Sequence, residues 1–360
     1  KFIMAYTDID KPSDYFNTVL WTGNNTGTTR EITGVGFTPN LIWSKRRSGP
    51  NASHQLYDTI RGTQKILITE STSAEITSNG YGAITTFGSD GYTWTNGSDG
   101  TNPRWFFNES DTYCSWNWKA GTSFTNDASA TGIGSIDSTG SASDTSGFSI
   151  ISWSGTGSTG TLKHGLSTTP SMIITKSRGS SAWCVYNKHL GNTNVLFLDT
   201  AAATSAHIAY WNNTSPTSSV FTVGSDDAVN HSGNNMIAYC FAEKQGYSKF
   251  GSYTGNGNAD GTFIYTKFKP AWLMIKKSSA TEEWYMYDNK RTPFNEIAKG
   301  LAANLSGAEF DTGATIDFLS NGFKNTGTNT GTNASGATYI YMAFAENPFV
   351  TSTGVPATAR

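Results

Sequence analysis

Charge is what this chain has least of. Asp, Glu, Lys and Arg together make up 14% of the 360 residues, against about a quarter in an ordinary globular protein. The two signs nearly cancel, at a formal net charge of −2 and a pI near 6.2. No basic stripe is therefore present to meet a nucleic acid or an anionic lipid surface. The one basic cluster, Lys45-Arg46-Arg47, is too short to build such a footprint. Long apolar runs are absent too. The longest lies near Ala271–Ile275, far below the ~20 residues that span a bilayer, which predicts a soluble chain with no membrane insertion. The opening Lys1-Phe2-Ile3-Met4-Ala5-Tyr6 lacks the apolar core of a signal peptide and does not start with an initiator methionine, so it reads as the start of a segment inside a longer chain or one missing a leader.

Cysteine is scarce and odd in number: Cys114, Cys184 and Cys240 cannot all pair within one chain. Cys114 stands where the matching strands described below carry Ile237 and Ile340, and Cys240 where they carry Asn117 and Ala343. A thiol at such positions reads as a small core hydrophobe. Histidine numbers five, at 54, 164, 189, 207 and 231, with neither His-x-x-x-His nor Cys-x-x-Cys spacing. Zinc is not expected, nor is any other cofactor.

What is abundant is Gly, Ser, Thr and Asn, interleaved with aromatics at 13%. Such a mixture favours turns and short strands over helices, and so an all-β fold. One stretch recurs. Gly36-Phe37-Thr38-Pro39-Asn40-Leu41-Ile42-Trp43-Ser44-Lys45 returns around Pro170, with Met172-Ile173-Ile174 and Lys176, and around Pro270, with Trp272-Leu273-Met274-Ile275 and Lys276. A proline that begins a short apolar run predicts a buried strand entered through a turn, and the closing lysine predicts the strand's exit to water. Flanking segments recur as well. Before each anchor come Tyr15–Asn24, Phe148–Gly155 and Phe250–Gly257, and after it Tyr113–Trp118, Met236–Glu243 and Tyr339–Glu346.

Three units of about a hundred residues exceed a solenoid repeat and predict three tandem antiparallel β-sandwich domains. The boundaries are a lead-in arm at 1–12, a first unit at 13–121, a Ser/Thr/Gly-rich linker at 122–145, a second unit at 146–246, a third at 247–350 and a loose tail at 351–360. The linker's composition predicts flexibility, and with it independent melting of the first unit. Aspartate at Ile173 or Leu273 would then unfold its own unit and leave the first untouched. Phe87 to Trp94, with Asp90-Gly91 at its middle, predicts a hairpin, and Phe294 to Leu305, following Pro293, predicts one short helix.

Ile32 to Pro39, Tyr247-Ser248-Lys249-Phe250-Gly251-Ser252-Tyr253-Thr254-Gly255-Asn256-Gly257 and Tyr339 to Phe349 resemble tandem repeats in virion and tail-associated proteins of tailed phages that infect marine bacteria. The resemblance runs from Asp14 to Phe349 and rests on core and turn residues. It implies a concanavalin A-like or jelly-roll sandwich in each unit and a place on the surface of a phage particle, and it carries over no catalytic motif.

The residues point away from an enzyme. A sandwich glycosidase needs two carboxyls about 5–5.5 Å apart, commonly from alternate residues of one strand, and no such pattern occurs. Glu243 and Glu346 end strands singly, with Ala120 at the matching place in the first unit. Asp226-Asp227 with Asn230 is the one weak candidate for calcium and reads first as a capped turn, since two adjacent carboxylates fall short of the six or more oxygens the ion takes. Gly155-Thr156-Gly157 and Gly255-Asn256-Gly257 read as turns, since no lysine-serine pair follows. Aromatics in turn-rich segments beside amides suit sugar, which takes an apolar ring face and hydroxyl partners. They are Trp105 and Phe106, and Tyr210, Trp211, Asn212 and Asn213.

The function expected is that of a non-enzymatic virion protein of a tail fibre or other appendage, attaching to host glycan. A structural or decoration protein and a glycan-degrading enzyme are the alternatives. Weak sugar contacts need several copies, which favours a homotrimer alongside other virion proteins. The arm 1–12 is expected to order against a neighbouring chain or another virion protein.

Overall fold

The computed structural model describes residues 6–23, 28–77, 80, 82–98 and 110–357. The fold is all-β, built from antiparallel sheets, with helices no longer than four residues. Each repeat contributes one large sheet laid out in the same order. The opening strand (Phe16–Thr22, Phe148–Ser154, Ser248–Thr254) pairs with the closing strand (Thr112–Trp118, Asn235–Phe241, Thr338–Pro348). The closing strand pairs in turn with the anchor (Leu41–Arg46, Met172–Ser177, Phe268–Lys277), and the anchor with Gln55–Asp58, Trp183–Asn187 or Trp284–Asp288. The register is the same three times: Leu41 faces Trp118, Met172 faces Phe241 and Trp272 faces Phe344. Pro39 and Pro170 precede their strands. Pro270 instead lies within its strand at a shift of register, where its missing N–H leaves no gap in the ladder.

Every residue of the first two anchors is buried, because these sheets are covered on both faces. Alternation sends Ile42, Ile173 and Leu273 into a core private to each repeat, beneath a smaller outer sheet. It sends Trp43, Ile174 and Met274 the other way, into one core that all three repeats share. The closing aromatics meet there: Trp118 and Phe344 have ring centroids 5.7 Å apart, Phe241 and Phe344 6.2 Å, and Trp118 and Phe241 6.4 Å. The repeats are thus not beads on a string. Copies of one sheet close into a ring around an aromatic axis, and the independence expected of the first unit gives way to a joint interior.

The ring is stitched at each junction by equivalent residues. Lys45, Lys176 and Lys276 do not exit to water. Each is fully buried, and its ammonium donates to carbonyls of its own turn and of the neighbouring repeat: Lys45 to Ala52 and Ser306, Lys176 to Ser181 and Thr72, Lys276 to Glu282 and Ala201. Burial, the main cause, pulls all three ammoniums down to about 8. A neighbour's loop covers the strand end that a single repeat would leave open. A ring N–H crosses each junction as well. Trp183 Nε1 donates to Ile68 O at 2.8 Å and Trp284 Nε1 to Phe197 O at 2.9 Å. At the equivalent place His54 Nε2 lies 3.0 Å from Ala302 O.

The segment at 122–145 is no linker. Thr122–Asn126 and Ser138–Ser143 are strands that extend the second repeat's sheet, and Asp127 caps the short helix Ala128–Thr131 between them. Backbone ladders need no large side chains, and small ones are required here. A Cβ on Gly140 would lie 2.8 Å from both Ile151 Cδ1 and Phe124 Cζ. Ile297–Ala302, expected to be helical, is a strand, since Leu301 pairs with Met286 and is buried in the shared core. The described part of the arm, residues 6–12, orders against its own chain. Thr7, Ile9 and Pro12 are buried, Asp8 N donates to Gln245 O at 3.0 Å, and Asp10 accepts from Ser352 N at 2.6 Å. The tail is correspondingly ordered as far as residue 357, with Val350 bridged to Pro356. The cysteines are all buried and unpaired with one another. Cys114 lies in the shared core and Cys240 in the private one.

His54 makes the junction between first and third repeats acid-sensitive. Its Nδ1 accepts from Trp43 Nε1 at 3.0 Å, so Nε2 carries the proton given to Ala302 O, and a second proton would set two donors face to face. Burial first, then Lys45, holds its pKa well below 6.5; burial likewise holds His164 down at about 4. In the unfolded chain both imidazoles take a proton below about 6.5. The unfolded state then binds more protons, and stability falls as pH drops through that window, by about 1.4 kcal/mol per pH unit for each histidine. The double substitution Trp43→Met and His54→Trp copies the Met274 and Trp284 of the third repeat. It should lower this slope by about 1.4 kcal/mol per pH unit in urea unfolding between pH 6.5 and 4.5, the shares of His164 and His189, whose pKa burial also lowers, being kept; an unchanged slope would remove His54 from the account.

Candidate functional site

The three outer sheets offer an internal comparison. In each, one strand pair sends a core pair inward: Ile32 with Tyr92, Leu162 with Phe221, and Ile264 with Phe323. Strand alternation turns the flanking residues to the outside. In the first repeat these are Glu31 and Thr33, and in the second Thr161 and Lys163. In the third they are Phe263 and Tyr265, which remain 44% and 49% exposed. Two aromatic rings thus sit on the outer face of an edge strand, at positions where sibling repeats place polar groups. No demand of the core accounts for them.

The surroundings suit the rings. Lys324 lies opposite Phe263 and Gly322 opposite Tyr265. A Cβ on Gly322 would lie 3.1 Å from Phe263 Cε2 and 2.1 Å from Ile264 O, so glycine is what lets the rings rest close to the sheet. Lys324 is ion-paired with Asp260, in a turn organised by Asn256 and Asn258. The next strand continues the face, with Asp317 beside Lys324 and Leu319 beside Gly322.

Leu319 also forms one wall of an open groove of about 620 Å³, within the usual size of ligand sites. Phe294, 80% exposed, stands at its rim with Ile297 and Phe318 below. Lys269 and Glu346 pair across it at 2.8 Å. The Asn295 amide is fixed, accepting from Phe318 N at 2.9 Å and donating to Phe318 O at 3.1 Å. Glu346 is the only carboxylate among the described residues lining the groove. No group of three or more His, Cys, Asp and Glu residues able to hold a metal occurs among the described residues.

The sites expected from sequence fare differently. Trp105 and Phe106 lie outside the described residues. Trp211 is core, 2% exposed, with its Nε1 donating to Asn194 O, because the short helix Ile208–Trp211 turns it inward against Tyr186. Tyr210 is half-buried, edge-on to Phe197 and His207. Asn212 and Asn213 are exposed at φ 49° and 50° and serve the turn that ends that helix. Asp226 caps the helix Asp227–Asn230 by accepting from Ala228 N at 2.8 Å. The Asn230 amide binds the Thr156–Ser158 turn and Trp153. That is the capped turn, with Asp226 and Asn230 both held by protein partners.

Phe263 and Tyr265 escaped the sequence reading because Phe263-Ile264-Tyr265 looks like a continuous buried strand. Aligning the three repeats strand by strand would have exposed them, through Glu31 and Lys163 at their positions. The chain belongs to a family defined as a domain of unknown function, DUF7483, whose model matches residues 11–348. No curated protein matches it.

Proposed function

We propose that this member of the family is a non-enzymatic surface protein of a phage virion, part of a tail fibre or similar appendage, that contributes to host attachment through weak, multivalent glycan contacts. The virion setting rests on the resemblance of the repeats. The attachment role rests on one observation: the outer aromatic pair Phe263 and Tyr265, present in one repeat of three and unexplained by packing. Exposed rings rimmed by Asn, Asp and Lys give a pyranose an apolar face to lie on and partners for its hydroxyls.

The ring supports this role by holding the face rigid, which lowers the ordering cost of binding. A single such face per chain binds sugar weakly, so attachment requires several chains together, and a closed homotrimer is the assembly favoured. Native protein should bind host cells or their extracted polysaccharide, and should sediment above the 38.7 kDa of one chain. The double substitution Phe263→Ala and Tyr265→Ala should weaken binding at least about tenfold, the loss of roughly 1.4 kcal/mol, with the melting temperature unchanged. Binding to phage particles without binding to cells or polysaccharide would replace this reading with a decoration protein, and release of reducing ends with an enzyme.

A further inference from the structure

We infer that the ligand is a neutral polysaccharide chain, longer than a disaccharide, that runs from the Phe263 and Tyr265 rings across Leu319 into the groove beneath Phe294. This rests on the glycan reading above and adds the ligand's class, length and path. The path follows from register. Tyr265, Gly322 and Leu319 are successive cross-strand neighbours on one face, and Leu319 is shared with the groove. Phe263 to Tyr265 covers about 7 Å along the strand, and Tyr265 to Leu319 about 10 Å across two strand spacings. A chain touching both rings and entering the groove must therefore exceed two sugar rings.

The class follows from charge. Along this path the cations Lys324 and Lys269 stand among the carboxylates Asp260, Asp317 and Glu346. Lys324 and Lys269 already hold Asp260 and Glu346. No surplus positive charge waits for a uronate or a sulfate, and bringing one in would set it against standing carboxylates. Hydroxyl-bearing rings meet no such cost, and the fixed Asn295 amide edge offers the kind of preorganised polar rim they use.

The test is titration of the full chain, by calorimetry, with neutral hexose oligomers (glucose, mannose and galactose series) from monosaccharide to hexasaccharide, and with galacturonate oligomers of the same lengths. Affinity should rise with length beyond the disaccharide for a neutral series and exceed that for galacturonate. Phe294→Ala should weaken the long neutral oligomers about tenfold and leave the disaccharide unchanged; Tyr265→Ala should weaken every length. Both side chains point to solvent, so melting temperatures should match the native chain. Affinity flat with length, or indifferent to Phe294→Ala, overturns the path into the groove while the aromatic platform stands. Tighter galacturonate binding overturns the neutral class. Failure of every series to bind overturns this inference and the glycan reading together.

Discussion

Replacing Asp288 by alanine should cost about 3–5 kcal/mol of folding stability, read as a fall in the urea midpoint. Asp288 is fully buried. It accepts from Arg291 Nε at 2.6 Å, from the backbone N of Arg291 at 2.8 Å and of Lys290 at 3.1 Å, and from Trp116 Nε1 of the first repeat at 3.0 Å. The Arg291 side chain is also sealed from water. Without the acid the only carboxylate left to it among the described residues is Glu309, at 3.2 Å. The first repeat has the same arrangement in Asp58 and Arg61, with Tyr239 of the second as the outside donor.

The second repeat shows how the place is filled without charge. There the residues are Asn187 and Leu190, and the neighbour that would donate is Met342, which cannot. Acid, arginine and donor are therefore present together or absent together. It follows that Asp288→Asn combined with Arg291→Leu, the second repeat's own solution, should recover most of what the single alanine loses, because it leaves no buried cation behind. A double variant as unstable as the single would show that the acid acts through its turn and Trp116 rather than through the arginine.

Truncating the axis should be as damaging, and its effect should spread to the whole chain. Phe344→Ala removes a 1% exposed ring that touches Trp118 and Phe241, one from each other repeat, and should cost about 3–5 kcal/mol. Because the interior is shared, thermal unfolding of the native chain should be one cooperative transition, and Phe344→Ala should lower it as one. Ile173→Asp, which puts an unpaired charge into the second repeat's private core, should likewise drag the first repeat down with it. Hydrogen exchange resolved by segment separates the possibilities: a first repeat that keeps its protection after the second has opened would restore the picture of independent domains.

Strand identity was legible wherever the covering layer was predictable. The apolar runs after Pro39, Pro170 and Pro270 gave the anchor strands, and the common spacing gave the threefold repeat. Cys114 and Cys240 fell on the faces that substitution by Ile and Ala implied. Legibility ended where a side chain's partner lay in another repeat. Lys45, Lys176 and Lys276 looked like surface ends because one of the carbonyls that binds each comes from the neighbouring repeat, 75 to 261 residues away along the chain. Small side chains misled at 122–145, where strands are held by backbone bonds and need glycine to pack. Leu301 lies in a stretch with helical spacing, but tertiary pairing overrode local preference.

Asp10 and Ser352 join the segment before the first repeat to the one after the third by hydrogen bonds, on the side of the ring where Gln245 lies between the second and third repeats. A ring in which each repeat makes the same lysine junction with its neighbour has no structurally privileged first member. A chain permuted by linking the segments at Asp10 and Ser352 and opening a new break before Ser248 should therefore fold to the same ring. The aromatic face of the third repeat, like the strands at 122–145 of the second and His54 of the first, then marks a direction in which this nearly symmetric body is not interchangeable with itself.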